Sequence, residues 1–205
     1  MTGLRAESVA DVFSAGLGHP VPVTLDGAGA PVADVPVEQW TDAAHVARHI
    51  LGLDFLDWLS AVDAPDGDPP GVDIVLHVAQ STEITRRLLL RTRVPETGLR
   101  LASLTAFWPG VAWHERETFE MFGVGFDGFD DGTGLELRPL LLPDGFEGTP
   151  LRKSFVLAAR ASKAWPGAKE PGESDASVGH AAPAARRRTA LPPGVPDPAV
   201  WGREP

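Results

Sequence analysis

Residues 113–128 read WHERETFEMFGVGFDG, and the element that precedes their glycines decides the fold. Gly123, Gly125 and Gly128 spell G-x-G-x-x-G, the spacing of a dinucleotide-binding loop. Such a loop needs a strand before it and a helix N-terminus after it, so that amides and dipole face a pyrophosphate. Here the order is reversed. A helix starting near Val111, after the break Trp108-Pro109-Gly110, runs into the glycines, and a polar Asp/Gly stretch follows. Gly123 then reads as a C-terminal helix cap, where a positive φ suits glycine. The stretch is not a nucleotide cradle. Nor is residues 127–138 a calcium loop, because Phe129 and Arg138 stand where ligands three and twelve belong.

The same helix carries Glu115-Arg116-Glu117. Ala112, Phe119 and Phe122 mark its buried side, and Trp113, Glu117 and Glu120 lie on another. Arg116 is placed to reach Glu120 at i,i+4. Three roles fit the cluster: a solvated charged face, a carboxylate pair for acid–base hydrolysis, and a ladder of charges that pairs across an interface.

Working upstream, Val72–Ala79 and Ile84–Val94 form an expected antiparallel hairpin. Arg87, Leu89, Arg91 and Arg93 share one face, with Leu88, Leu90 and Val94 on the other. Phe55–Asp63 is dense in large apolar residues and is expected to enter the core. Apolar residues at Trp40, Ala43, Ala44, Ala47, Ile50 and Leu51 recur at helical spacing, closed by Gly52. The opposite face holds Glu38, Asp42, His45 and His49. The two histidines have a chelating spacing, but Val46 stands where a metalloprotease needs glutamate, and the set reads as a polar face. Val21–Leu25 and Pro31–Val35 flank the turn signal Asp26-Gly27. A short helix is expected around Glu7–Leu17. One wet sheet face and one helix-covered face make the fold class α+β, with a small, mostly antiparallel sheet.

Working downstream, Leu137–Phe155 alternates apolar stretches with rigid turns and carries Arg138, Arg152 and Lys153. Pro139, Pro143 and Pro150 forbid a helix and disfavour a central strand. Held extended beforehand, such a strap loses little entropy on docking. Residues 161–205 hold eight prolines, the run Arg186-Arg187-Arg188, and few bulky apolar residues. Their composition is that of a disordered or partner-ordered tail. Three segments follow: a variable N-terminal stretch over 1–20, an α+β domain over 21–157, and a flexible tail over 158–205.

The 205 residues include 28 Asp+Glu against 18 Lys+Arg, a formal net charge of -10. That balance repels phosphate backbones, so no nucleic-acid partner is expected. There is no cysteine, which excludes disulfides, thiolate catalysis and cysteine-held iron–sulfur clusters on this chain. No apolar run is long enough to span a bilayer, so membrane association is expected only through partners.

Together, WPGVAWHERETFEMFGVGF and LRPLLLPDGFEGTPLRKSF resemble the signature region of one family, the thirty-kilodalton subunit of bacterial NADH:quinone oxidoreductase (respiratory complex I), as a divergent copy. The match runs through Trp108, Pro109, Trp113, Glu115, Arg116, Glu117, Phe122, Gly123, Phe126, Leu137, Arg138, Glu147, Gly148, Pro150, Leu151, Arg152 and Lys153. It covers about residues 30–157. Glu120, Pro139 and Ser154 depart from the family's Asp, Arg and Asp. The resemblance implies a peripheral-arm subunit on the cytoplasmic side of the cell membrane, with no redox centre, metal or catalytic site of its own. It implies packing against the hydrogenase large-subunit-like protein that forms part of the quinone site, and against iron–sulfur subunits. NADH, flavin, clusters and quinone would sit on those partners, in an enzyme coupling electron transfer to proton translocation. On this reading the interface residues are Glu115, Arg116, Glu117, Glu120, Arg138, Pro150, Arg152 and Lys153. The alternatives are the equivalent subunit of a membrane-bound hydrogenase or of a ferredoxin- or deazaflavin-fed dehydrogenase, and a free-standing hydrolase using Glu115 and Glu117.

Overall fold

The computed structural model describes residues 3–156, so the tail expected over 158–205 lies outside the described residues. One compact unit contains residues up to 144 and 149–155; residues 145–148 and 156 belong to a second. The first element is helix α1, Ala6–Leu17, which seats Val9, Phe13 and Leu17 in the core and ends on Gly18 at φ 79. Strands β1 (Val23–Leu25) and β2 (Pro31–Asp34) pair antiparallel across the Asp26 turn. The Asp26 carboxylate shapes that turn by accepting the Ala28 and Ala30 N–H groups at 2.8 and 2.7 Å.

Strands β3 (Phe55–Ala64), β4 (Gly71–Gln80) and β5 (Glu83–Pro95) form an antiparallel meander. The five-stranded order is β1-β2-β5-β4-β3, and only β2 and β5 run parallel. The expected alternation holds. Leu59, Leu76 and Leu90 line up across the sheet and are buried, as are Val78 and Leu88 beside them. The other face carries Arg91 on Asp34 at 2.6 Å and Arg93 on Asp73. Charged pairs thus cover the face that no described helix covers.

Two expectations need correction. Phe55–Asp63 does not enter the core as a whole: it is the edge strand β3, with Phe55 and Val62 exposed and Leu59 and Asp63 turned inward. The helix through Trp40 is not uniform either. A 3-10 turn (Val37–Gln39) leads into α2 (Trp40–His45), which passes into a π turn over Val46–Ile50. The Leu51 N–H bonds five residues back to the Val46 carbonyl at 3.0 Å. The wider turn shifts the phase of the apolar stripe. Trp40, Ala43, Ala44 and Ala47 stay buried, while Ile50 is 63% exposed.

Helix α3 (Val111–Phe122) packs on β3 and ends on Gly123 at φ 80. Sequence patterning left one element unseen: a parallel ribbon of β6 (Arg100–Ala102) and β7 (Gly125–Asp127), the latter directly after α3.

Gly71 starts β4 with no room for a side chain, since a Cβ there would run into the Val94 carbonyl oxygen of β5. Gly71→Ala is expected to cost about 1–3 kcal/mol in urea unfolding. Gly98→Ala, with open space around it, should stay within about 0.5 kcal/mol.

Candidate functional site

Helix α3 places each ionisable group of the sequence motif in a different environment. Val111, Ala112, Glu115, Thr118 and Phe122 form its buried row. Glu115 therefore occupies a core position, with no exposed surface. Its Oε1 accepts the Leu104 N–H at 2.7 Å, and its Oε2 accepts the Ser103 hydroxyl at 2.7 Å. The Ser103 and Thr105 hydroxyls lie 2.9 Å apart, and the Thr105 oxygen accepts the Asp130 N–H at 3.3 Å. Burial pushes the Glu115 carboxyl up to about 7, against the opposing pull of these two hydrogen bonds. It joins α3 to the segment after β6, and Thr105 carries the chain of bonds on to the loop after β7.

Arg116 and Glu120 work on the other side of the helix. They do not pair with each other as expected at i,i+4. Arg116 donates through Nε to the Arg138 carbonyl at 3.2 Å and through Nη2 to the Pro139 carbonyl at 2.7 Å. Glu120, 6% exposed, accepts three successive amides, from Leu140 (2.8 Å), Leu141 (2.7 Å) and Leu142 (3.1 Å). One turn of helix thus offers a donor for the carbonyls and an acceptor for the amides of a segment with no ladder of its own. These bonds take the place of the ladder partners that a strand would have supplied. Arg138 is held in turn by the Asp131 carboxylate at 2.7 Å. Asp131 is lowered to about 2, chiefly by the Thr133 hydroxyl and then by Arg138.

Of Arg152 and Lys153, the arginine side chain meets acids of this chain, and the lysine reaches one through its backbone N–H. Arg152 contacts Asp63 at the end of β3 (3.2 Å) and Glu96 after β5. Asp63 also accepts the Lys153 N–H at 2.6 Å, and the Leu151 N–H reaches the Met121 carbonyl of α3 at 3.1 Å. Asp63 and Arg152 are nearly enclosed, at 4% and 9% side-chain exposure. Pro150 is half-buried and Lys153 exposed.

Glu117 differs from the rest. It is half-buried and makes no hydrogen bond or ion pair among the described residues. One turn earlier on the same flank, Trp113 is 62% exposed, with the Arg116 guanidinium 5.6 Å from its ring centre.

This geometry opposes the hydrolase alternative, because a carboxyl with no exposed surface cannot reach a substrate alongside Glu117. Sequence reasoning did not find Ser103, Thr105, Asp63, Glu96 or Asp131. A signal for the first two was present: an acid in the apolar row Val111, Glu115, Thr118, Phe122 needs buried donors somewhere in the fold.

The sequence profile of the respiratory-chain NADH dehydrogenase 30 Kd subunit matches residues 33–161. The chain belongs to this family. Among relatives, the corresponding NADH-quinone oxidoreductase subunit of Bordetella avium is 32% identical over 170 residues, spanning 75% of this chain and 79% of the relative. Its counterpart from Moorella thermoacetica is 36% identical over 135 residues, 64% of this chain and 84% of that one. Among solved structures, a trypsin-resistant fragment of Nqo5 superposes with a TM-score of 0.50 at 25% identity, covering 61% of this chain and 96% of the fragment. The membrane-bound sulfane sulfur reductase, an archaeal respiratory membrane complex, shares the fold at TM-score 0.54 and 20% identity, over 68% of this chain and 77% of that one. The α+β expectation for the signature region therefore holds.

Because Glu115 keeps a proton that the unfolded chain releases, its contribution to stability falls as pH rises from 4.5 toward 7, by about 3 kcal/mol in all. Glu115→Gln fits the same two partners without a charge. Urea titrations at about pH 4.5 and about pH 7.5, near the two ends of this window, should show a clearly smaller pH difference in the variant than in the parent.

Proposed function

We propose that the chain is a non-redox subunit of the peripheral arm of a proton-translocating NADH:quinone oxidoreductase, on the cytoplasmic side of the membrane. It scaffolds the hydrogenase large-subunit-like protein of the quinone site and neighbouring iron–sulfur subunits. The observation that carries this reading is how the charged motif is used. Arg116, Glu120 and Arg152 fasten residues 138–142 and 151–153 to the body, and several large apolar side chains of this region remain outside. Leu135, Leu141, Leu151 and Trp113 are 58%, 61%, 54% and 62% exposed. Large exposed apolar side chains that gather into one patch mark interaction sites, and this reading takes these four as such a surface. Tryptophan and arginine are also the side chains that most often dominate binding energy.

Within this interface, Glu115, Glu120, Arg138 and Arg152 position the surface, and Pro150 stiffens it. Trp113, Arg116, Glu117 and Lys153 meet the partner. Glu117 would take a cationic group or an amide from the other chain, completing an acid that is half-buried without one. The family supports NADH as donor and quinone as acceptor; the lack of cysteine fits iron–sulfur clusters held by partner chains, to which this reading also assigns flavin and quinone. No described helix is long and apolar enough to cross a membrane, which fits attachment through other subunits. The second reading, an equivalent subunit in a related membrane-bound complex, draws on the shared fold of the sulfane sulfur reductase protein; the proteins that co-purify distinguish the two.

Trp113→Ala combined with Leu141→Ser removes mostly exposed apolar area together with the ring under Arg116, so the unfolding free energy from urea titration should fall by less than about 1 kcal/mol. Recovery of the quinone-site protein with the tagged chain from native membranes should drop severalfold. Undiminished recovery would contradict the assignment of this surface.

A further inference from the structure

We propose that His45 and His49 form a two-imidazole site for a borderline divalent metal ion of the Zn2+ or Ni2+ type, at the junction of α2 with its π turn. The rings stand with centres 4.9 Å apart and planes inclined by 46°. Two imidazoles bound to one ion at a metal–nitrogen distance of about 2.0–2.1 Å place their ring centres roughly 4.5–5.2 Å apart for bond angles between square and tetrahedral. The observed separation falls inside that range before any ion is added.

Four further features favour a ligand here over a plain polar face. Both imidazoles are exposed, and neither makes a hydrogen bond among the described residues. The His49 ring is backed by Phe107 at 6.3 Å, which limits its freedom and so lowers the entropy lost on binding. The backbone beneath is a π turn from Val46 to Ile50 that leaves Ile50 exposed; turns of this kind are rare and concentrate at functional positions. The exposed acid Asp42 one turn earlier, together with Glu38, gives the helix face a negative potential that attracts cations. Imidazole donors select zinc, nickel and copper over the hard cations magnesium and calcium. Two protein ligands leave the remaining coordination positions to water or to a donor atom of another chain.

The test is calorimetric titration of the full, tag-free chain with ZnCl2, repeated for His45→Ala, His49→Ala, the double variant and His114→Ala as control. Both imidazoles are exposed, so the variants should fold, which thermal melting checks. The expected result is saturable binding of one ion, weakened by at least about tenfold on losing either imidazole, since a chelate becomes a single ligand, and unchanged in His114→Ala. NMR of the parent should show Zn2+ perturbing the His45 and His49 ring signals first. No saturable binding, binding that survives the double substitution, or dependence on only one of the two histidines would each overturn the proposal.

Discussion

Residues 138–142 are half-buried or exposed, and no strand or helix of their own supplies partners for their backbone N–H and C=O groups. A single turn of α3 does so instead, with Arg116 on the carbonyls of residues 138 and 139 and Glu120 on the amides of residues 140 to 142. Pro139 has no amide to satisfy, so the prolines that prevent a ladder also shorten the list of donors. The rest of the arrangement depends on this exchange. Without it, Leu141 has no fixed position.

The helix that makes the exchange must itself be held in register. Glu115 contributes to this from the core side, where its carboxyl engages the Leu104 amide and the Ser103 hydroxyl. A buried acid without a cation is an expensive way to fix a helix, and an apolar residue would serve stability better. It fixes orientation, however: rotation of α3 would orphan the acid and move Arg116 and Glu120 away from residues 138–142. At the far end, Arg152 between Asp63 and Glu96 fastens the chain to the margins of the main sheet. The charges that invite a catalytic reading are thus largely occupied in shaping a surface.

Much of the fold was legible because period-2 and helical patterns report burial directly. The β4–β5 hairpin, the α1 and α3 helices and the Gly123 cap follow from alternation, spacing and one glycine. The edge position of β3 was not legible, since apolar density does not say which neighbour a strand lacks. The π turn was hidden because Ile50 fits the helical stripe in sequence and leaves it only through one wider turn. At the site, the motif residues stood out, but their partners did not. Arg116–Glu120 looked like an ordinary i,i+4 pair, and only the folded chain brings carbonyls and amides some twenty residues away within reach of both. Asp63 and Arg152 are far apart in sequence, and no local pattern links them.

Membership of the 30 Kd subunit family and the absence of cysteine agree with a chain whose contribution is a pre-built surface. The most direct test of that claim is amide hydrogen exchange of Leu140, Leu141 and Leu142 in the isolated chain. If α3 builds the surface unaided, these three amides exchange far more slowly than in a free peptide, and the protection disappears in Glu120→Ala while the amides of β4 and β5 stay protected. Exchange of all three at free-peptide rates, with α3 itself protected, would mean that the segment is ordered only by its partner, and the account would be wrong at its centre.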